Sequence, residues 1–243
     1  MKVTLLAYTP NPADIAEISA KTCYSSEPPS LIEPTEEKKV LKSALSGGHG
    51  SVLEHAVFTF SIEGISRACT HQLVRHRVAS FSQQSQRYVK MDGNVKDIFV
   101  MPKSISKIKE EAELNGEGWN PNGYVGSDIN WYFSQLEALI EKLRAEGVPE
   151  EDIRYFYPNG MMTNIVVTMN ARELLHFFSL RCCTRAQWEI REVAEAMLAI
   201  CKEVCPEIFI HAGASCEQLG YCPEVKSCGK SETLRKIMDG KNI

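Results

Sequence analysis

Between Arg75 and Arg87 the chain reads Arg-His-Arg-Val-Ala-Ser-Phe-Ser-Gln-Gln-Ser-Gln-Arg, a run with almost no aliphatic filler. Arg75, His76 and Arg77 set three cationic or titratable heads side by side. Ser80, Ser82, Gln83, Ser85 and Arg87 add hydroxyl, amide and guanidinium donors. Such an inventory suits one anionic ligand with many acceptors, because guanidinium groups pair with phosphate in a bidentate, charge-assisted way. A phosphorylated nucleotide fits it. A solvated basic face is the plainer alternative for so short a run. Ser85 has no recognisable His-Asp pair beside it, so it reads as a binding hydroxyl rather than a nucleophile.

The elements around the run must display it. Ile65 to Val74 reads as an amphipathic helix, with Ile65, Ala68, Cys69, Leu73 and Val74 apolar and Arg67, His71 and Gln72 polar. The cluster then lies where a helix gives way to a polar loop, a place where sites are commonly presented. Upstream, Val3 to Tyr8 reads as a strand and Pro12 to Lys21 as a helix with proline in its first turn, an α/β opening. Thr35 to Leu45 reads as a helix stopped by Gly47-Gly48. His49, Ser51, Glu54 and His55 gather just ahead of a strand in which Phe58, Phe60 and Ile62 alternate with polar residues.

Downstream, Val95 to Met101 reads as a second strand and Lys103 to Leu114 as a charged helix. Asn115 to Ser127 is the longest loop, read as a surface connection in preference to a substrate lid. Ser127 to Glu146 carries an apolar stripe at helical spacing, which is core material rather than a cofactor box. Pro149 to Arg154 is a short helix and Asn164 to Met169 a β-branched strand. Asn170 then caps a helix, with Glu173 in the capping-box position. Arg172 and His176 lie one turn apart on that helix, which ends near Arg181 among Leu180, Cys182 and Cys183. A guanidinium in such apolar company needs a partner: an anionic or carbonyl-rich one, or a core glutamate. Thr184 with Gln187 opens the last long helix, and Pro206 ends it. These elements suggest one domain over 1–211 and a tail over 212–243 without strong periodicity.

With 243 residues, 44% of them hydrophobic, the chain is long enough to bury a full core. A formal net charge of −4 argues against general affinity for nucleic acid, so a local basic cluster points to a small ligand. No apolar run approaches a bilayer span, and the N-terminus lacks a signal peptide's apolar region, which points to the cytoplasm. The nine cysteines, two of them adjacent, suit reduced thiols better than a disulfide framework. Cys216, Cys222 and Cys228 with His211 lack the close pairs of structural zinc, and no metal is expected. Neither a G-x-G-x-x-G turn nor a phosphate-binding loop is present, so any flavin binds outside a Rossmann frame.

Arg75-His76-Arg77, seven residues, then Ser85 resembles the signature of the flavin-dependent thymidylate synthases. The longer family pattern asks also for Ser80 and Arg87. Gln72, Glu54-His55, Asn170-Ala171-Arg172, Leu180-Arg181 and Ala186-Gln187-Trp188-Glu189 follow in the family's order, from about Cys23 to about Ile210. Ser82-Gln83 stands where many members carry Asn-Glu, so no carboxylate is available there. The resemblance implies an α+β fold, a mainly antiparallel sheet flanked by helices, and a homotetramer with sites between subunits. It implies reductive methylation of dUMP to dTMP, with methylenetetrahydrofolate supplying carbon and FAD, recharged by NADPH, supplying hydride. The dUMP contacts it implies are Gln72, Arg75, Gln83, Gln84, Ser85, Gln86, Arg87, Arg154 and Arg181. Arg181 would polarise the pyrimidine and favour ionised N3. The implied flavin contacts are His49, Ser51, Arg75, His76, Arg77, Gln83, Asn170, Ala171, Arg172 and His176. A flavin reductase without methyl transfer and a single-stranded RNA-binding module are the alternative readings.

Overall fold

Lys2–Tyr8 forms β1 and Pro12–Thr22 forms α1, with Pro12 in the first turn as its fixed φ favours. Lys39–Ser46 is α2. After a 3₁₀ turn at Gly50–His55, Val57–Ser66 forms β2, antiparallel to β1 with Lys2 opposite Glu63 and Tyr8 opposite Phe58. Phe58, Phe60 and Ile62 are fully buried, as alternation along a half-buried strand requires. Then come α3 (Arg67–Leu73), β3 (Ala79–Gln83), α4 (Lys103–Leu114), α5 (Val125–Ala145) and α6 (Glu150–Ile153). The chain closes with β4 (Met162–Asn170), α7 (Ala171–Arg181), α8 (Trp188–Val204), α9 (Pro206–Phe209) and α10 (Ser215–Leu219). The strands make one four-stranded antiparallel sheet in the order β1-β2-β4-β3, within a mixed α and β fold of the expected class. The computed structural model describes residues 1–91, 93–114 and 125–233.

Two compact units are formed. The first takes Met1–Glu63, Gln72–Ser82 and the chain from Val166. In it α8 packs on β1 and α7, and the Phe58 ring meets Phe209 edge-on at 5.4 Å. Each buried aromatic of this kind contributes about 1.5–3 kcal/mol through burial. The second takes Gly64–His71 and Gln83–Ile165, with its own core of Val95, Phe133, Leu136, Ile140, Ile153 and Met161.

Several expected elements are corrected. The helix expected from Ile65 begins at Arg67, because β2 continues through Ser66 and Ser66 Oγ caps the helix by accepting the Cys69 N–H at 3.0 Å. The polar loop expected after Arg77 contains β3, whose Ser80, Ser82 and Gln83 lie on an edge strand of the sheet. Val95 to Met101 is not a strand: turns occupy most of it, and only Phe99 makes an isolated bridge, to Met161. The helix expected from Thr35 starts at Lys39, since Thr35 is held by Glu17. Gln187, not Thr184, caps α8, its Oε1 accepting from the Glu189 and Ile190 N–H groups. The connection expected over Asn115 to Ser127 lies, up to residue 124, outside the described residues, and α5 takes in the rest. In the tail, α10 forms and Cys222 bridges to Thr233, while 234–243 fall outside the described residues.

Candidate functional site

In the first unit the helix cap and the basic cluster belong to one network. Asn170 caps α7 by accepting the Glu173 N–H at 2.9 Å. The Glu173 carboxylate meets His76 Nδ1 at 3.0 Å, and the Arg181 Nε–H donates to His76 Nε2 at 3.1 Å. Arg181 also reaches the Gln72 carbonyl at 3.4 Å. A guanidinium nitrogen only donates, so His76 Nε2 must accept and the imidazole proton resides on Nδ1, facing the carboxylate. Burial lowers the His76 pKa from the usual histidine value more than Glu173 raises it, and the neighbouring Arg181 adds to the lowering, so the neutral ring is favoured. Phe177 lies edge-on to the imidazole at 4.9 Å and His176 at 5.9 Å. His76 is only 5% exposed. The partner that Arg181 requires is thus an imidazole backed by a core glutamate, together with a carbonyl.

Arg75 and Arg77, on either side of His76, are exposed, and among the described residues neither guanidinium has a side-chain partner. Arg172 pairs with Glu54 at 2.5 Å, and its stem lies against Gly50. His49 and Ser51 line a cleft of about 480 Å³ with Tyr24, Lys39, Val40 and Val52. The unit therefore carries exposed cations and a partly apolar cleft with imidazole and hydroxyl donors, a set whose chemistry suits a ring system joined to a pyrophosphate.

In the second unit, Arg67, His71, Gln86, Arg154, Tyr155 and Tyr157 line a cavity of about 230 Å³. Burial lowers the Arg67 pKa, and the charge of Arg154 lowers it further. Gln86 Nε2 is buried and, among the described residues, has no hydrogen-bond partner. Two guanidinium groups on one cavity call for an anion, which would relieve their repulsion. The other amides of the run are engaged. Gln83 Nε2 donates to Thr70 Oγ1 at 3.1 Å and Thr163 Oγ1 at 3.3 Å, and Gln84 Oε1 accepts from Asn164 Nδ2 at 3.2 Å. Ser85 Oγ accepts the Arg87 N–H, and Arg87 pairs with Glu151 at 2.9 Å on the surface.

A family model for thymidylate synthase complementing proteins matches residues 4–207. The flavin-dependent thymidylate synthase of Nitratidesulfovibrio vulgaris is 46% identical over 241 residues, 94% of each chain. That of Geobacter sulfurreducens is 44% identical over the whole of both chains, and that of Pyrococcus horikoshii is 48% identical over 92% of this chain and 90% of its own. This chain belongs to the flavin-dependent thymidylate synthase family. A Helicobacter pylori member, solved in complex with FAD and dUMP, is 25% identical with a TM-score of 0.62, covering 88% of this chain and 100% of its own.

For a flavin-dependent thymidylate synthase, the surroundings of two residues in these groups were not legible in the sequence. Arg67 reads as the wet side of a helix, and only the strand that delivers it beside Arg154 shows otherwise. Glu173 reads as a capping residue, and its side chain also sets the state of His76. The signal for Glu173 was available: a carboxylate in the first turn of a helix whose neighbours Ala171 and Leu174 are apolar.

Proposed function

We propose that this protein reductively methylates dUMP to dTMP, and that the cavity of Arg67, Arg154 and Gln86 receives the nucleotide's phosphate. The observation that supports the reading is a cavity lined by two guanidinium groups, with Gln86 also in its wall and, among the described residues, without a hydrogen-bond partner for its buried Nε2. A phosphate dianion accepts from both guanidinium groups at once, which an uncharged nucleoside does not. Ser85, Arg87, Gln83, Gln84, Gln72 and Arg75 complete the proposed dUMP set. Gln83 and Gln84 act through the backbone they fix, because their amides are already bonded within the second unit.

Arg181 is the proposed catalytic residue. Held by His76 and the Gln72 carbonyl, its cation stabilises negative charge building on the pyrimidine at N3, which makes C5 the nucleophile toward the one-carbon unit. His76 and Glu173 position it. FAD would be held by His49, Ser51, Arg75, Arg77, Asn170, Arg172 and His176, and the chemistry it supplies is hydride from NADPH to the methylene that methylenetetrahydrofolate donates. The reading includes a homotetramer in the cytoplasm. Nine free cysteines support a reducing compartment, and among the described residues no helix is long and apolar enough to cross a membrane.

The test is the visible absorption spectrum of purified protein before and after dUMP, followed by assay of dTMP formation. Flavin bands that shift with dUMP, and dTMP that depends on folate and NADPH, are expected. NADPH oxidation indifferent to dUMP and folate, with no dTMP, would leave a flavin reductase. A colourless protein that takes up no FAD but binds single-stranded RNA would overturn the reading altogether.

A further inference from the structure

Five of the nine cysteines line one cavity of about 250 Å³ in the first unit: Cys182, Cys183, Cys216, Cys222 and Cys228. They come from three stretches, and specific bonds bring these together. Arg185 donates to the Lys226 carbonyl at 3.1 Å and pairs with Glu224 at 3.4 Å, tying the tail to the turn between α7 and α8. Ser215 Oγ donates to the Ser179 carbonyl at 3.0 Å, tying the start of α10 to the end of α7. Ser227 Oγ bonds the Ser231 carbonyl and accepts the Gly229 N–H, which shapes the loop carrying Cys228.

The five sulfurs are unequal. Burial pushes Cys182 up to about 12, so it stays a thiol. Cys222 is buried, whereas Cys183 and Cys216 are partly exposed. Cys228 is exposed and its pKa is lowered, first by a hydrogen bond from the Thr184 hydroxyl and then by a backbone hydrogen bond at Lys230. Thiolate character with access is what makes a cysteine reactive, and a second thiol on the same cavity wall is what makes its oxidation reversible. Thr184, whose hydroxyl reaches the Cys228 sulfur, is the chain neighbour of Cys183.

We propose that this cavity is a thiol-based redox site, with Cys228 as the reactive sulfur and Cys183 or Cys216 as the second. The oxidant is a peroxide. The Cys228 thiolate attacks one peroxide oxygen; the S–O bond forms as the O–O bond breaks, and hydroxide leaves to take up a proton as water. The second thiol then attacks the sulfenic sulfur, the S–S bond forms, the S–O bond breaks, and water departs with the thiol's proton. Two thiols are oxidised, one peroxide is reduced to two waters, and a dithiol reductant reverses the change.

The full-length, flavin-loaded protein provides the test, with exposed Cys23 as internal control. Limiting iodoacetamide near neutral pH should alkylate Cys228 several-fold faster than Cys23, as read by peptide mass. Equal or faster labelling of Cys23 overturns the assignment of Cys228. One equivalent of hydrogen peroxide should then produce a loss of two hydrogens and a cross-linked peptide joining Cys228 to Cys183 or Cys216. Dithiothreitol should reverse the link, and Cys228→Ser should lack it while keeping its flavin spectrum. Oxidation that stops at sulfinic acid, or a cross-link that omits Cys228, overturns the redox site. Neither readout depends on dTMP formation, so the result stands apart from the assigned activity.

Discussion

His76 accepts the Nε–H of Arg181 at 3.1 Å, and this one bond fixes both the tautomer of the imidazole and the direction of the guanidinium. Without Glu173 on Nδ1 the ring would be free to carry its proton on Nε2, where it would face the arginine donor. Burial, Glu173 and Arg181 therefore act together, and the central histidine of the Arg-His-Arg run works through its neighbours rather than on display.

Replacing His76 separates positioning from packing. His76→Gln keeps an acceptor for Arg181 and a donor for Glu173, whereas His76→Ala leaves a buried carboxylate and an arginine without their shared partner. Outer partners that orient a reactive group are typically worth about 10–100-fold in activity. We expect His76→Ala to lose about that much in kcat with KM for dUMP little changed, and His76→Gln to recover most of it. Equal activity in both variants and the wild type would remove the imidazole from the mechanism.

The same ring sets an acid limb. Its folded pKa is depressed below the ordinary value near 6.5, chiefly by burial, with the charge of Arg181 acting in the same direction and Glu173 opposing. The unfolded chain therefore binds the proton more readily. The stability owed to neutral His76 is fully present above about pH 6.5 and is lost as pH falls through the lower, folded value. Thermal unfolding of the wild type should fall away below about pH 6.5 more steeply than that of His76→Gln, and kcat should fall with it, since an imidazolium cannot accept from Arg181. Parallel pH profiles for the two proteins would refute this.

Much of this was legible in the chain because it rests on local periodicity. Alternation at Phe58, Phe60 and Ile62, the Asn170 cap and the Phe133, Leu136 and Ile140 face of the long helix α5 all depend on near neighbours, and each is where the pattern puts it, whereas Tyr132 and Leu139 of the same apolar stripe are exposed. The elements misread are those decided at a distance. Ala79 to Gln83 is a polar run that becomes a strand because β4 offers an edge to pair with. Val95 to Met101 has strand composition, but Val95 is spent in the core of the second unit, where its N–H donates to Glu137. The need of Arg181 for a partner was plain from its apolar setting. The identity of that partner was not, because His76 lies 105 residues away in the chain.

Arg67 offers a test of the proposed phosphate cavity. Arg67→Met removes a desolvated cation that the neighbouring Arg154 repels, so the ligand-free protein should be no less stable. A charge-assisted hydrogen bond is worth about 1.5–3 kcal/mol, so affinity for dUMP should drop by about 10–100-fold. Deoxyuridine, lacking the phosphate, should bind wild type and variant alike. Calorimetric titration with both ligands checks the pair, and an unchanged dUMP affinity would place the phosphate elsewhere.

Glu17 lies far from these groups in the chain yet shapes the cleft of His49 and Ser51. Fully buried in α1, its carboxylate accepts from Thr35 Oγ1 at 2.7 Å, Thr35 N–H at 3.1 Å and Val40 N–H at 3.4 Å. Lys38 Nζ stands 3.9 Å from it and 2.6 Å from Asp14. These bonds staple α1 to the start of α2, and Ala20, Lys39 and Val40 of the two helices wall the cleft. In Glu17→Gln an amide N–H₂ must face donors, and one of the two carboxylates beside Lys38 loses its charge. Disrupting a buried ionic network by one partner costs about 3–5 kcal/mol. At about 2–4 °C per kcal/mol for a chain of this size, Tm should fall by roughly 6–20 °C. If the cleft holds flavin as proposed, Glu17→Gln should also release FAD more readily on dialysis, while inorganic phosphate should bind the cavity of Arg67 and Arg154 as tightly as in the wild type. A variant with lowered Tm but undiminished flavin retention would detach the cleft from the cofactor.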